Sequence, residues 1–282
     1  MNGVLLVNKP SNYTSRDIVN IVGKMLGTKK VGHTGTLDPM ATGVLVLCIG
    51  NYTKLVDIIT CTNKEYIAEI TLGTDTDTLD ITGNVINDID AIYNKEAIIK
   101  VLKEFNGKYM QEVPIYSAIK IKGMKLYDYA RACKSVELPK REVEIKEIEL
   151  LDVRYDNNKT IFSIKTLVSK GTYIRSLARD IALKLNTVGC MSKLTRTMQG
   201  KFSISSCCSL DDIKESKYKL LNLDDILDYK IIDVDDKLDK LVRNGCPIDN
   251  IYKEEYIIFK GNNLLVIYKD NNGILKSYVK LK

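Results

Sequence analysis

A short polar loop followed at once by an apolar run is the feature that most constrains this chain. Residues 31–43 read VGHTGTLDPMATG and hold three glycines, a proline, an aspartate and the only histidine of the sequence. Residues 44–49 are apolar throughout, which is typical of a strand buried on both faces. Polar loops anchored on buried strands often carry binding or catalytic groups. We therefore expect a functional site at this loop.

The spacing of apolar residues predicts helices and strands on both sides of the loop. Helices are predicted after Ser15 as an N-cap, over 94–105 and over 174–185, the last with the strongest apolar stripe. Because Arg175 lies off that stripe, the pattern predicts that its side chain points out of the core. Strands are predicted over 4–7, 66–72, 143–155 and 160–168, the last two forming a hairpin.

Strands and helices do not alternate regularly, so we expect an α+β fold whose mixed, largely antiparallel central sheet is flanked by helices. A length of 282 residues allows two domains at about 150 residues each. The acidic stretch 210–239 marks a boundary, and short strands are predicted after it over 256–259, 264–268 and 274–281. We predict a catalytic domain over 1–228 and a small β module over 229–282.

Several classes of protein lack support in the sequence. Seven cysteines with no C-x-x-C pair, and a single histidine, support neither a disulfide framework nor a zinc site. Phosphate-binding glycine motifs are missing, so no nucleotide cofactor is expected. The stretch that begins at Asp75 departs from a calcium loop, because its sixth position is Asp80 and not glycine and its twelfth is Ile86 and not glutamate. No metal or other cofactor is therefore expected. No apolar run reaches the roughly 20 residues of a membrane span, and the chain starts without a secretion signal. A cytoplasmic protein without a membrane partner is the expectation.

The basic charge is concentrated in one segment. The chain carries a net charge of +6, and residues 169–201 alone hold seven Lys or Arg against Asp180. Such a cluster favours a polyanionic partner such as a nucleic acid. Its alternative is an ordinary solvated surface.

Asp38 is the candidate for chemistry within the loop. It stands between Leu37 and Pro39, with glycines nearby that allow close approach of the backbone. A carboxylate held rigidly there could act as a nucleophile. An Asx turn before proline explains the same residues, and the loop alone leaves both interpretations open.

The loop resembles a known signature. Residues 35–45, GTLDPMATGVL, resemble the G-x-L-D-x-x-A-x-G-x-L signature of pseudouridine synthases, and the preceding G-H-T-G resembles the TruB family in particular. Further motifs similar to that family follow in order along residues 1–202. They are N-K-P at 8–10, K-E-Y at 64–66, T-D-T-D at 74–77 with Asp80, P-I-Y-S-A-I-K at 114–120, S-K-G-T-Y-I-R at 169–175 and L-T-R at 194–196. The chain departs from the family at Asn8, where Asp is usual, and at Val168, where Cys is common.

The resemblance implies a reaction and its catalytic residues. The family isomerises uridine at position 55 in the T-loop of tRNA to pseudouridine, flipping the base out of its stack and using no cofactor. By the motif match, Asp38 is the expected nucleophile and Arg175 its ion-pair partner. Tyr66 is expected to pack on the target base and to move a proton.

The resemblance also implies residues that bind the substrate. Tyr173 and Leu194 are expected to line the uracil pocket, and His33 to enter the RNA loop beside the displaced nucleotide. Lysines expected to contact the RNA backbone or to order loops are Lys9, Lys64, Lys120 and Lys170. The expected partner is the T-arm stem-loop of tRNA, bound by a monomer whose C-terminal module resembles a PUA domain. A related synthase acting on another RNA, and a non-catalytic RNA-binding or RNA-folding protein, are the alternatives.

Overall fold

The computed structural model describes residues 1–262 and 264–281, and within them it shows 18 strands. The strands are β1 (Gly3–Lys9), β2 (Val31–His33), β3 (Thr42–Ile49), β4 (Lys64–Leu72), β5 (Thr74–Thr76), β6 (Val85–Asp88), β7 (Gly107–Glu112), β8 (Lys120–Ile121), β9 (Met124–Lys125), β10 (Lys140–Asp156), β11 (Lys159–Val168), β12 (Gly189–Gln199), β13 (Phe202–Ser203), β14 (Lys230–Asp233), β15 (Ile248–Asp249), β16 (Tyr256–Gly261), β17 (Leu264–Asn271) and β18 (Ile274–Lys280).

Helices flank the strands. The α-helices are α1 (Ser15–Met25), α2 (Val56–Thr60), α3 (Lys95–Glu104), α4 (Leu126–Arg131), α5 (Ile174–Lys184), α6 (Leu210–Lys214), α7 (Leu223–Ile226) and α8 (Asp236–Arg243), and the 3₁₀ turns are Gly50–Leu55 and Ile204–Ser206. In the part of the chain that the structure describes, no helix combines the length and the apolar character needed to cross a membrane.

A mixed, largely antiparallel sheet forms the centre, which confirms the predicted α+β fold. Its strand order is β1-β3-β12-β4-β11-β10-β7, with β2 paired to β3 and β13 paired to β12. The predicted hairpin is present as β10 and β11. The contact between β3 and β12 is the parallel one, with Thr42 opposite Thr195 and Gly43 opposite Arg196. That contact brings the end of the 31–43 loop beside residues near the end of the basic segment.

Gly43 makes the close approach of these two strands possible. Its φ is 102°, in the region that favours glycine, and a Cβ atom there would overlap the carbonyl oxygen of Arg196. Strand β3 is buried along nearly its whole length, as its apolar run predicts.

The three predicted helices are confirmed, with one correction at the start of α1. Thr14, and not Ser15, is the N-cap, because its side chain accepts the backbone N–H of Asp17 while Asp17 accepts the backbone N–H of Thr14. The Ser15 hydroxyl is buried and accepts the N–H of Leu37 at 2.9 Å. The residue that looked like a cap therefore ties α1 to the Asp38 loop.

A second sheet, of strand order β14-β16-β17-β18-β15, forms the C-terminal part of the described chain. The three predicted strands are present in it, and Asn263 of the predicted turn and the final Lys282 lie outside the described residues. Ile258 and Ile267 of this sheet belong to the same apolar cluster as Val4 and Val46 of the central sheet. The domain division at 228/229 stays a prediction.

Candidate active site

A cavity of about 440 Å³ opens where the Asp38 loop, β4, β12 and the start of α5 meet. It gathers seven of the residues predicted from the sequence as site residues: Asp38, Lys64, Tyr66, Lys170, Tyr173, Arg175 and Leu194. These positions come from four separate segments of the chain. The cavity therefore unites the polar loop with the basic segment.

Asp38 and Arg175 form a two-point ion pair inside the cavity. The Nε atom of Arg175 lies 3.0 Å from Oδ2 of Asp38, and its Nη2 atom donates to Oδ1 at 3.2 Å. The planar guanidinium fork matches a carboxylate in this way and fixes its orientation as well as its charge. The Asp38 side chain keeps 30% of its surface exposed, so a ligand in the cavity can reach it.

Arg175 is buried, which corrects the prediction that it points away from the core. Only 7% of its side-chain surface is exposed. Its Nη1 atom donates to the carbonyl of Thr78 at 3.0 Å, and Nη2 donates to the carbonyl of Tyr116 at 3.0 Å. Helical spacing was misleading here because loops distant in sequence cover this side of α5.

Two opposing effects act on the pKa of Asp38. Burial raises the pKa above its ordinary value, and the positive charge of Arg175 opposes that rise. The carboxylate of Asp80, 3.7 Å from Nη1 of Arg175, raises the pKa of Asp38 further. Arg175, with a smaller contribution from the charge of Lys9, thus favours the ionised form of Asp38.

Asp80 is a positioning residue that the sequence-based list of site residues missed. Its Oδ1 atom accepts the hydroxyl of Thr82 at 2.5 Å, the N–H of Thr82 at 3.1 Å and the hydroxyl of Thr78 at 3.1 Å. These bonds hold the turn whose Thr78 carbonyl binds Arg175. The T-D-T-D motif at 74–77 with Asp80 contained the signal, although nothing in it indicated a contact with α5.

Buried polar side chains donate hydrogen bonds to the backbone in and next to the Asp38 loop. Arg196, fully buried on β12, donates from Nε to the carbonyl of Val44 at 2.7 Å and from Nη2 to that of Gly35 at 3.1 Å. Gln199 donates to the carbonyl of Thr34 at 3.2 Å and to its hydroxyl at 2.7 Å. Arg196 is predicted from the sequence only as part of the L-T-R motif, and Gln199 is not among the predicted site residues.

Lys9 belongs to the same support. It is fully buried, and its Nζ atom donates to the carbonyls of Pro10, Tyr13 and Pro39 at 2.8, 2.7 and 3.1 Å. Burial lowers the pKa of Lys9 to about 8, while the Asp38 charge opposes that change. Of its two predicted roles, this geometry favours loop ordering, because a buried ammonium with three acceptors has no free face for RNA.

Aromatic and apolar side chains form the walls beside the ion pair. Tyr66 on β4 and Leu194 on β12 are both buried in the central core and line the cavity. Tyr173, immediately before α5, lines it from the other side. The cavity thus pairs a carboxylate with flat apolar surfaces, an arrangement suited to a heterocyclic base.

Comparison with known proteins places the chain in a family. Residues 23–174 match the profile of "TruB family pseudouridylate synthase (N terminal domain)", and residues 175–244 match that of "tRNA pseudouridylate synthase B C-terminal domain".

The chain belongs to the TruB family.

Individual members of the TruB family match it over nearly their whole length. A "tRNA pseudouridine synthase B" of Caldanaerobacter subterraneus is 42% identical over 276 residues, which covers 97% of this chain and 93% of that protein. The protein of the same description from Clostridium tetani is 42% identical over 280 residues, covering 97% and 94%. The chain is accordingly a pseudouridine synthase, an isomerase.

Solved structures agree on the fold. A chain of "a Cbf5-Nop10-Gar1 Complex" superposes with a TM-score of 0.71 at 22% identity, covering 99% of this chain and 85% of that one. A chain of an "H/ACA RNP bound to a substrate RNA containing 2'-deoxyuridine" gives a TM-score of 0.69, also at 22% identity, with 98% and 83% covered.

Two lysines of the TruB motifs lie at the cavity in different settings. Lys64 is buried and donates to the carbonyls of Thr60 and Thr62 at 3.1 and 2.9 Å, and burial lowers its pKa to about 8. Lys170 is exposed, with its Nζ atom 3.2 Å from Sγ of Cys61. Lys170 is therefore the one of this pair that presents its charge to solvent.

His33 and Lys120 are not among the residues that line the cavity. His33 ends β2, and its half-buried ring has Nδ1 without a partner among the described residues. Burial lowers the pKa of His33. Lys120 is exposed on the small ribbon of β8 and β9. Both remain predicted contacts for a bound RNA.

The two carboxylates of the site, those of Asp38 and Asp80, both pair with Arg175. Over residues 1–262 and 264–281, no group of three or more His, Cys, Asp and Glu side chains is placed to hold a metal ion. Asp38 and Asp80 share one guanidinium, which supplies positive charge next to both carboxylates.

Proposed function

We propose that this protein isomerises uridine at position 55 in the T-loop of tRNA to pseudouridine, with Asp38 as the nucleophile. The observation that carries the proposal is the Asp38–Arg175 pair in a cavity walled by Tyr66, Tyr173 and Leu194. The relatives described as tRNA pseudouridine synthase B support tRNA as the substrate.

The chemistry of the reaction fits a site of this composition. The bond from N1 of uracil to C1′ of ribose breaks, a bond from C5 to C1′ forms, and one proton leaves C5 while N1 gains one. Atoms and electrons balance without a co-reactant. Asp38 supplies the nucleophile, and Arg175 keeps its carboxylate ionised and aimed into the cavity.

The walls of the cavity are proposed to receive the flipped base. Tyr66 packs against uracil and is the candidate to move the proton, while Tyr173 and Leu194 confine the ring. Extruding a base costs a few kcal/mol, and stacking on side chains offsets part of that cost. His33 is proposed to fill the space that the base leaves in the RNA loop.

Exposed cations and the C-terminal sheet are proposed to bind the rest of the T-arm. Lys170 at the mouth of the cavity and Lys120 on the ribbon contact phosphates. The sheet that begins at Lys230 is proposed to act as a PUA-like RNA-binding module within the predicted division 1–228 and 229–282. We also propose that the protein acts as a monomer in the cytoplasm.

Asp38→Asn tests the chemical part. We expect pseudouridine formation in a T-arm stem-loop to fall by at least about a thousandfold, because the amide is not a nucleophile. The fold and RNA affinity persist, since Arg175 keeps Asp80 and two carbonyl acceptors. Mapping pseudouridine at single-nucleotide resolution measures the loss, and the exposed Asp57→Asn on α2 is the matched control.

Two outcomes would contradict the proposal. Substantial turnover by Asp38→Asn would remove the nucleophile assignment. Wild-type protein that modifies a different RNA, and leaves the T-arm unmodified, would instead establish a related synthase with another substrate.

A further inference from the structure

Gln111 holds both backbone polar groups of Tyr173. This side chain is fully buried on β7. Its Oε1 atom accepts the N–H of Tyr173 at 2.8 Å, and its Nε2 atom donates to the carbonyl of Tyr173 at 3.1 Å. One amide group thus fixes the main chain at this residue as a neighbouring strand would.

A further hydrogen bond, to Tyr109, fixes the orientation of the Gln111 amide. Nε2 also donates to the phenol oxygen of Tyr109 at 2.6 Å, and that phenol donates to Oδ2 of Asp180 at 3.4 Å. Asp180 is in turn paired with Arg179, whose Nη2 lies 2.9 Å from Oδ1. Reversing the amide would set Oε1 against two acceptor oxygens, so the buried chain of bonds permits one arrangement.

A small movement of the Tyr173 backbone would change the geometry of the active site. It precedes α5 as the N-cap residue, without a side-chain cap of its own, and Arg175 follows two residues later. The guanidinium of Arg141, which lies opposite Gln111 in the ladder of β7 and β10, is 6.0 Å from the centre of the Tyr173 ring. The edge strand β7 and its neighbour β10 therefore contact both the backbone and the ring of Tyr173.

We propose that Gln111 is a positioning residue for the isomerisation: through the backbone of Tyr173 it sets the places of the Tyr173 ring and the Arg175 guanidinium. The inference rests on the proposed function, because it assigns Tyr173 to the uracil pocket. Gln111 itself is not among the residues that line the cavity.

Only some side chains can bind both the N–H and the carbonyl of Tyr173. The position needs one acceptor and one donor at the end of the same side chain. Glutamine supplies both at every pH, ionised glutamate supplies acceptors alone, and methionine has a similar shape with no donor and only a weak acceptor. A displacement of about 1 Å in a catalytic geometry can cost roughly a hundredfold in rate.

Gln111→Met is the first test. We expect kcat for pseudouridine formation in a T-arm stem-loop to fall about 10- to 100-fold. Affinity for the RNA stays within about twofold, because phosphate contacts made elsewhere dominate it. Thr160→Val is the matched control: Thr160 is also fully buried and ties backbone groups of Ala91 and Tyr93, but these two residues, unlike Tyr173, do not line the cavity.

Gln111→Glu adds a readout that a merely structural residue would not move. The protonated carboxyl group regains a donor for the Tyr173 carbonyl, and burial favours that neutral form. The kcat of this variant, expressed as a ratio to wild type at the same pH, should therefore rise as the pH falls from about 8 to 6, around the range where a buried glutamate titrates.

Each result decides the matter. A lowered kcat with unchanged affinity for Gln111→Met, together with the rising ratio for Gln111→Glu, supports the proposal. Wild-type kcat in Gln111→Met, or a loss no larger than that of Thr160→Val, overturns it. If Gln111→Met does not fold, a Gln111→Glu ratio that is flat with pH overturns it. Wild-type protein inactive on the T-arm would instead overturn the proposed function.

Discussion

The interior beneath the Asp38 loop contains buried polar side chains, whereas the interior of the C-terminal sheet is apolar. Under the loop lie fully buried Lys9, Arg196 and Gln199, whose hydrogen atoms point at backbone carbonyls. In the C-terminal sheet the buried side chains are apolar or aromatic, as in the edge-to-face pair of Phe259 and Tyr268. Both interiors are closed to solvent, but only the first lies beside the proposed chemistry.

The two interiors are suited to different tasks. Apolar burial stabilises a fold without strong direction, so an apolar core tolerates small shifts. Buried hydrogen bonds are directional, and leaving one unmade is costly, so a polar interior specifies one backbone path. The loop that carries Asp38 needs that precision, whereas a supporting sheet does not.

Among the variants that compare the two interiors, Arg196→Met, which disrupts the polar one, should have the largest effect. The buried carbonyl of Val44 and the partly buried carbonyl of Gly35 lose their donor, and the loss at Val44 should cost roughly 1–3 kcal/mol of unfolding free energy. The loop also loses its fixed path, so we expect kcat to fall about a hundredfold. Urea denaturation and single-turnover pseudouridine formation measure the two losses.

Phe259→Leu is the contrasting variant in the apolar interior. It shrinks a buried ring far from the cavity, which should lower stability by roughly 1 kcal/mol and leave kcat unchanged. If Phe259→Leu and Arg196→Met reduce kcat in proportion to their stability losses, the contrast between the interiors is wrong.

Arg175→Lys tests the ion pair with Asp38, whose loop the polar interior supports. A lysine ammonium cannot reproduce the two-point contact with Asp38, so the pKa of that carboxyl group, already raised by burial, should rise further. Because the ionised form is the active one, a higher pKa means less activity at acidic pH. The acid limb of the kcat/KM profile should move to higher pH, and a limb at the wild-type position would contradict this account.

Lys170→Gln has the smallest expected effect, because this lysine lies outside both interiors. Its exposed ammonium is proposed to meet one phosphate, so RNA affinity should weaken a few-fold at unchanged kcat. The slope of log affinity against log salt concentration should decrease by about one. Lys100→Gln, exposed on α3 and not among the cavity residues, is the control. Equal salt slopes for Lys170→Gln and wild type would remove the phosphate contact.

Local patterns predicted the elements well where burial is repeated along one face. The apolar run of β3, the hairpin of β10 and β11, and helices α1, α3 and α5 are confirmed because their spacing reports a continuous buried surface. The family motifs also named seven of the residues that line the cavity, whereas Lys9, His33 and Lys120, named in the same way, do not line it.

Where a residue's partner lies far along the chain, local patterns failed. The spacing in α5 predicted that Arg175 points outward, but Asp38, 137 positions away in sequence, draws it into the interior. Ser15 resembled a cap because serine is a common cap, whereas its hydroxyl binds Leu37. Spacing along one element carries no information about which loop covers that element.

By itself, the sequence determined the chemical inventory: an aspartate in a glycine-containing loop, a basic segment, and the motifs of one enzyme family. Tertiary structure alone decided which cations serve as interior supports and which face solvent. Lys9 and Lys170 are the same residue type, yet one is enclosed by three carbonyls and the other lies at the mouth of the cavity. The physical reason is that burial and hydrogen-bond partners are properties of the assembled fold, and they set what a charge does.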